Sequence, residues 1–106
     1  MTKVRVAGLD ELPPDSMLGA EAGGRDVLVA RVGPEGYYAV DNLCSHADAW
    51  LDMGMLQAPS CEIECPLHGG RFDLQSGKPT HLPCTDPIGS YPVAVVGDDV
   101  YVEVPD

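Results

Sequence analysis

Two short ligand-like pairs constrain this chain more than anything else in it. Cys44-Ser45-His46 opens a stretch that Cys65-Pro66-Leu67-His68 closes, so a Cys-x-His pair and a Cys-x-x-His pair face each other across 18 intervening residues. Soft thiolates and imidazoles at fixed spacing form a set of metal ligands. A fold for this chain must bring the two pairs together and shelter the sulfurs from water.

Length allows one way of doing so. At 106 residues the chain is enough for a single domain, residues 1–106, that buries roughly two thirds of its unfolded surface, and it is too short for two. With 12 Gly and 10 Pro it reads as short strands joined by frequent turns. The start, Met1-Thr2-Lys3-Val4-Arg5, carries charges where a signal peptide needs an apolar core, and no apolar run approaches the ~18 residues that span a bilayer. The expectation is a cytoplasmic protein without a membrane anchor, in a reducing compartment where four cysteines serve metal binding better than disulfides. A formal charge of −11 repels phosphate backbones, which argues against nucleic acid. It either steers the chain towards basic protein surfaces or only keeps it soluble.

An all-β reading follows from the local patterns. Val4 and Val6 alternate with charged residues in a first strand reaching about Ala7, and Leu9 to Leu12 makes one helical turn before Pro13-Pro14. A second strand is expected over Ser16 to Ala22. Asp26 to Val32 and Tyr37 to Val40, joined through Gly33-Pro34-Glu35-Gly36, form a hairpin that delivers the chain to Cys44. Residues 47–60 read as a loop with short extended pieces. Cys61 to Cys65 and Gly70 to Leu74 are strands on either side of the second ligand pair, followed by a turn over Gln75 to Pro79. The stretch Leu82 to Pro87 is a rigid wall, and Tyr91 to Val96 with Val100 to Val104 closes the chain as a hairpin.

Two cysteines with two histidines also suit tetrahedral zinc. Structural zinc sites, however, mostly pair cysteine with cysteine, whereas here each pair contributes one of each. Interleaving makes sense if two metals are present, each pair giving its Cys to one iron and its His to the other, as in clusters where two histidines replace two cysteines on one iron.

The surrounding residues carry a family resemblance. Cys44-Ser45-His46 with Cys65-Pro66-Leu67-His68-Gly69-Gly70 resembles the signature of Rieske proteins. More narrowly, Asn42 to Ala49, Glu64 to Asp73 and the tail Asp99 to Val102 resemble the small ferredoxins of bacterial aromatic-ring dioxygenase systems. The resemblance implies a Rieske-type antiparallel β-sandwich with a cluster-binding subdomain, about residues 43–84, formed by two loops. It implies one [2Fe-2S] cluster, with Cys44 and Cys65 on a buried iron and His46 and His68 on an outer one. The implied role is a monomeric, non-catalytic carrier of single electrons. These come from an NAD(P)H-dependent flavoprotein reductase and go to a terminal ring-hydroxylating oxygenase with its own Rieske centre. A small Rieske-like subunit of an assimilatory nitrite reductase and a structural zinc module are the rival readings.

Charge counting indicates the consequence of the histidines. Two ferric ions and two sulfides total about +2, and two thiolates bring the site to about zero, so it accepts an electron at roughly −150 to +300 mV. High-potential Rieske proteins add an inter-loop disulfide and Ser and Tyr hydroxyl donors; the corresponding positions here hold Ala49, Leu67, Gly70 and Phe72. A potential near the low end is expected.

Three candidate donors are set aside. His81 lacks a cysteine at ligand spacing, Cys61 reads as a small core residue on a strand, and Cys84 is expected to pack beside the cluster without binding it. Trp50 reads first as core packing and second as an exposed aromatic at a docking surface, with Leu67 and Pro83 inside a ring of carboxylates such as Asp48 and Asp52.

Overall fold

The apolar run Val27-Leu28-Val29-Ala30 does not alternate because the strand that carries it is buried on both faces. This is seen in a computed structural model, which describes residues 1–45 and 48–106. The strands are β1 (Thr2–Gly8), β2 (Ser16–Ala22), β3 (Arg25–Val32), β4 (Gly36–Asp41), β5 (Met55–Gln57), β6 (Glu62–Glu64), β7 (Arg71–Asp73), β8 (Pro79–His81), β9 (Ser90–Tyr91), β10 (Val93–Val96) and β11 (Asp99–Val104). They form antiparallel sheets in the orders β1-β11-β10, β2-β3-β4-β9 and β5-β6-β7-β8. Among the described residues the only helical pieces are 3-10 turns.

The β2-β3-β4-β9 sheet lies in the middle. Val27, Val29 and Ala39 pack on one side against Val100, Val102 and Val104 of β11. Leu28, Ala30 and Val40 pack on the other against Ile63, Phe72 and Leu74, together with Cys44, Cys65 and Cys84. Fully burying a Val, Leu, Ile or Phe side chain contributes roughly 1.5–3 kcal/mol. The second of these cores therefore holds the β5–β8 sheet, and with it the second ligand pair, firmly against the scaffold.

Most expected elements are present, with three differences. Pro79 does not end the turn but starts β8, which pairs with β7 across an irregular register. Pro92 offers no amide, so the strand expected over Tyr91 to Val96 is split: β9 pairs with β4 and β10 with β11. Cys61 precedes β6 instead of lying on it, closing a 3-10 turn in the left-handed region at φ 56°.

Candidate metal centre

Cys44 and Cys65 open two fingers closed alike. In each, the cysteine amide donates to the carbonyl five residues on, Cys44 to Ala49 at 2.9 Å and Cys65 to Gly70 at 2.8 Å. The first finger is closed at its base by a bridge between Leu43 and Trp50 and by the Leu51 amide on the Asn42 carbonyl at 2.7 Å. The second is the turn of the β6–β7 hairpin, where Glu64 pairs with Arg71. His68 and Gly69 reverse the chain at φ 70° and 76°; a glycine accepts that conformation freely, and the histidine holds it under the constraint of the closed turn.

Burial separates the two cysteines from His68. Cys44 and Cys65 are 4% and 1% exposed, whereas the His68 side of the second finger is at the surface. The two thiols are hydrogen-bonding neighbours, and the Leu67 amide also points at Cys65. Burial pushes the Cys65 thiol up, the Leu67 amide draws it down, and Cys44 beside it raises it again. His46, the fourth expected ligand, lies outside the described residues. Buried thiols at one side and an exposed imidazole at the other could hold a cluster whose two irons take cysteine and histidine respectively. Among the described residues no disulfide is formed.

A third wall closes the site. Cys84 is buried beside Cys44 and Cys65, and its thiol is pushed up to about 12 by burial and by those two neighbours. Ser45 donates to the Asp86 carbonyl at 2.7 Å, tying the first finger to this wall. Cys61 pairs with the Tyr38 hydroxyl. His81, at the end of β8, lies 3.5 Å from Glu62. Glu62 also meets Ser60 at 2.7 Å and Arg71 at 3.3 Å, and Arg71 reaches Glu64 at 2.9 Å, a network behind the second finger. The alternation Glu62-Ile63-Glu64 opposite Arg71 in a hairpin was its sequence signal.

Trp50 corrects the first reading of that residue. It is 46% exposed, as Leu43 is, because the pair faces outward at the base of the first finger. Leu67 and Leu82 are exposed as well, at 44% and 79%.

A family model described as Rieske [2Fe-2S] domain matches residues 2–92. The ferredoxin component of naphthalene 1,2-dioxygenase/salicylate 5-hydroxylase systems from Ralstonia sp is 40% identical over 92 residues, which cover 87% of this chain and 86% of that one. Among solved structures, the ferredoxin of carbazole 1,9a-dioxygenase from Nocardioides aromaticivorans superposes with a TM-score of 0.90 at 50% identity, covering 96% of this chain and 97% of that one. A second, from a complex of reduced oxygenase and oxidized ferredoxin in carbazole 1,9a-dioxygenase, gives 0.85 at 35% identity, covering 94% and 91%.

Proposed function

Since this chain belongs to the Rieske [2Fe-2S] domain family, we propose that Cys44, His46, Cys65 and His68 hold its [2Fe-2S] cluster, the cysteines on the inner iron and the histidines on the outer. The matched closure of the two fingers, with both thiols buried and touching, supports this assignment. When bound, the cluster supplies storage of one electron at a time. The protein is an electron carrier of the ferredoxin type and not a catalyst.

Its own residues determine how it would work. Buried thiols and the Leu28, Ile63 and Phe72 core keep water from the inner side, while exposed His68 gives a short path to a partner. Exposed Trp50, Leu67 and Leu82 are apolar side chains available for docking, and the charge of −11 favours partners with basic surfaces. The partners we assign are an NAD(P)H-dependent flavoprotein reductase as donor and a terminal aromatic-ring oxygenase with its own Rieske centre as acceptor. The setting is cytoplasmic, and the carrier is a monomer of one domain, residues 1–106, with its cluster-binding subdomain at about 43–84. No helix among the described residues is long and apolar enough to cross a membrane.

The test is direct. Iron and acid-labile sulfide should each approach two per chain, the reduced protein should give a Rieske-type EPR signal, and NADH with a flavoprotein reductase should bleach it. A colourless protein carrying one zinc would falsify the assignment.

A further inference from the structure

Gly70 lacks a side chain for a reason visible in the packing. A Cβ added there would fall well inside 3.0 Å of Sγ of Cys84 and 3.1 Å from its backbone nitrogen, so the space belonging to residue 70 is already filled by the Cys84 side chain. That side chain is 3% exposed and contacts Cys44 by hydrogen bond and Cys65 electrostatically. Its segment is fixed on both sides, by the Cys84 amide on the His81 carbonyl at 3.2 Å and by the Ser45 hydroxyl on the Asp86 carbonyl at 2.7 Å. A third thiol is thus held in the same buried cluster as the two finger cysteines, hydrogen-bonded to Cys44.

A buried thiol is a small, nearly apolar group with one weak donor. On the ligand assignment made above, we propose that Cys84 is a positioning residue whose S–H donates to the Cys44 thiolate and favours the reduced state of the site. Reduction adds negative charge that is shared with the sulfur ligands, and a donor aimed at one of them stabilises the reduced form more than the oxidised form. A neutral thiol does this without adding a charge to a dry pocket. Gly70 is the other half of the arrangement, since any side chain there would push the thiol off the sulfurs.

The test compares Cys84→Val with Cys84→Ser in the full, cluster-loaded chain, reading midpoint potential, EPR g-values, and iron and sulfide content. Valine keeps the bulk and removes the donor; serine restores a stronger donor. The expected result is full cluster content in both variants, a midpoint below the parent for valine, and one at or above the parent for serine. Equal midpoints in all three proteins would overturn the proposal, and so would failure of both variants to hold a cluster, which would leave Cys84 a packing residue. Cys44→Ala separates this from the ligand assignment: if that variant keeps a two-iron cluster, the assignment itself is wrong, whatever the Cys84 series shows.

Discussion

The Tyr91 hydroxyl donates a 2.5 Å hydrogen bond to one oxygen of Asp41, and the Gly89 amide donates to the other at 2.7 Å. Asp41 ends β4, three residues before Cys44, and its own amide donates to the Gly89 carbonyl at 2.9 Å. The strand that delivers the first finger is therefore clamped to the segment that follows Cys84. Burial and then Asp41 hold the Tyr91 hydroxyl above the ordinary range for a tyrosine. Losing a hydrogen bond to a charged acceptor costs about 1.5–3 kcal/mol. Tyr91→Phe should lower the urea midpoint accordingly and Asp41→Ala by more, because the latter also strands the Gly89 amide. Unfolding curves that overlay the parent would show the clamp to be idle.

Glu62 makes stability depend on acid pH. Burial works to raise its pKa, but hydrogen bonds from Thr80, Ser60 and Arg71, with the charge of His81, outweigh it and leave the carboxyl below its ordinary 4.5. A depressed native value means that its stabilisation is complete above the unfolded value and is lost as pH falls through the folded one. Melting temperature should therefore decline below about pH 4.5, and Glu62→Gln should flatten that decline while lowering stability at pH 7. An unchanged acid limb in the variant would remove Glu62 as its source.

Arg71 holds two carboxylates together on one hairpin, at 3.3 Å from Glu62 and 2.9 Å from Glu64. Arg71→Met leaves buried Glu62 and half-buried Glu64 without their shared cation and should cost about 1–3 kcal/mol. Double-mutant cycles with Glu64→Gln should show coupling, since the pair shares one guanidinium. Additive losses would mean that the pair is screened to insignificance.

Legibility in the sequence follows how local each feature is. The β3–β4 hairpin shows because its strands are β-branched and its turn carries Gly33-Pro34, and the ligand pairs show because each is a short fixed spacing. β8 does not show, since Pro79 is a turn signal and the strand exists only through its pairing with β7. The Gly70–Cys84 fit is hidden for the same reason: nothing in the local sequence says that a side chain 14 positions later will occupy the glycine's space. Trp50 misled because its size argues for burial, whereas its place was fixed by the bridge to Leu43 at the base of a finger.

The cysteines should divide by function. If Cys44 and Cys65 hold the inner iron as proposed, Cys44→Ala and Cys65→Ala should abolish the visible cluster spectrum, since each removes a thiolate ligand. Cys61→Ser should leave iron and sulfide content intact, its side chain being committed to Tyr38. His81→Ala should also retain the cluster, because its partner is Glu62. Loss of colour in Cys61→Ser or His81→Ala would show that the ligand set has been drawn wrongly.

Trp50 is where the exposed apolar surface and the charge of the chain can be tested together. A tryptophan 46% exposed beside an equally exposed Leu43 is wasted on stability, and aromatic anchors are enriched at the centres of interfaces. If docking runs through it, Trp50→Ala should slow reduction by the proposed flavoprotein reductase about tenfold, which is ~1.4 kcal/mol of docking energy. The optical and EPR spectra should stay as they are, because the half-exposed indole is not among the proposed ligands. The acidity acts separately: rates for parent and variant alike should fall as salt rises through the range where the screening length shrinks from ~30 to ~10 Å. Their ratio should hold constant, because salt screens charges and leaves the apolar contact untouched. A variant whose rates match the parent at every ionic strength would mean that partners approach by another face, and that Trp50 serves only to close its finger against Leu43.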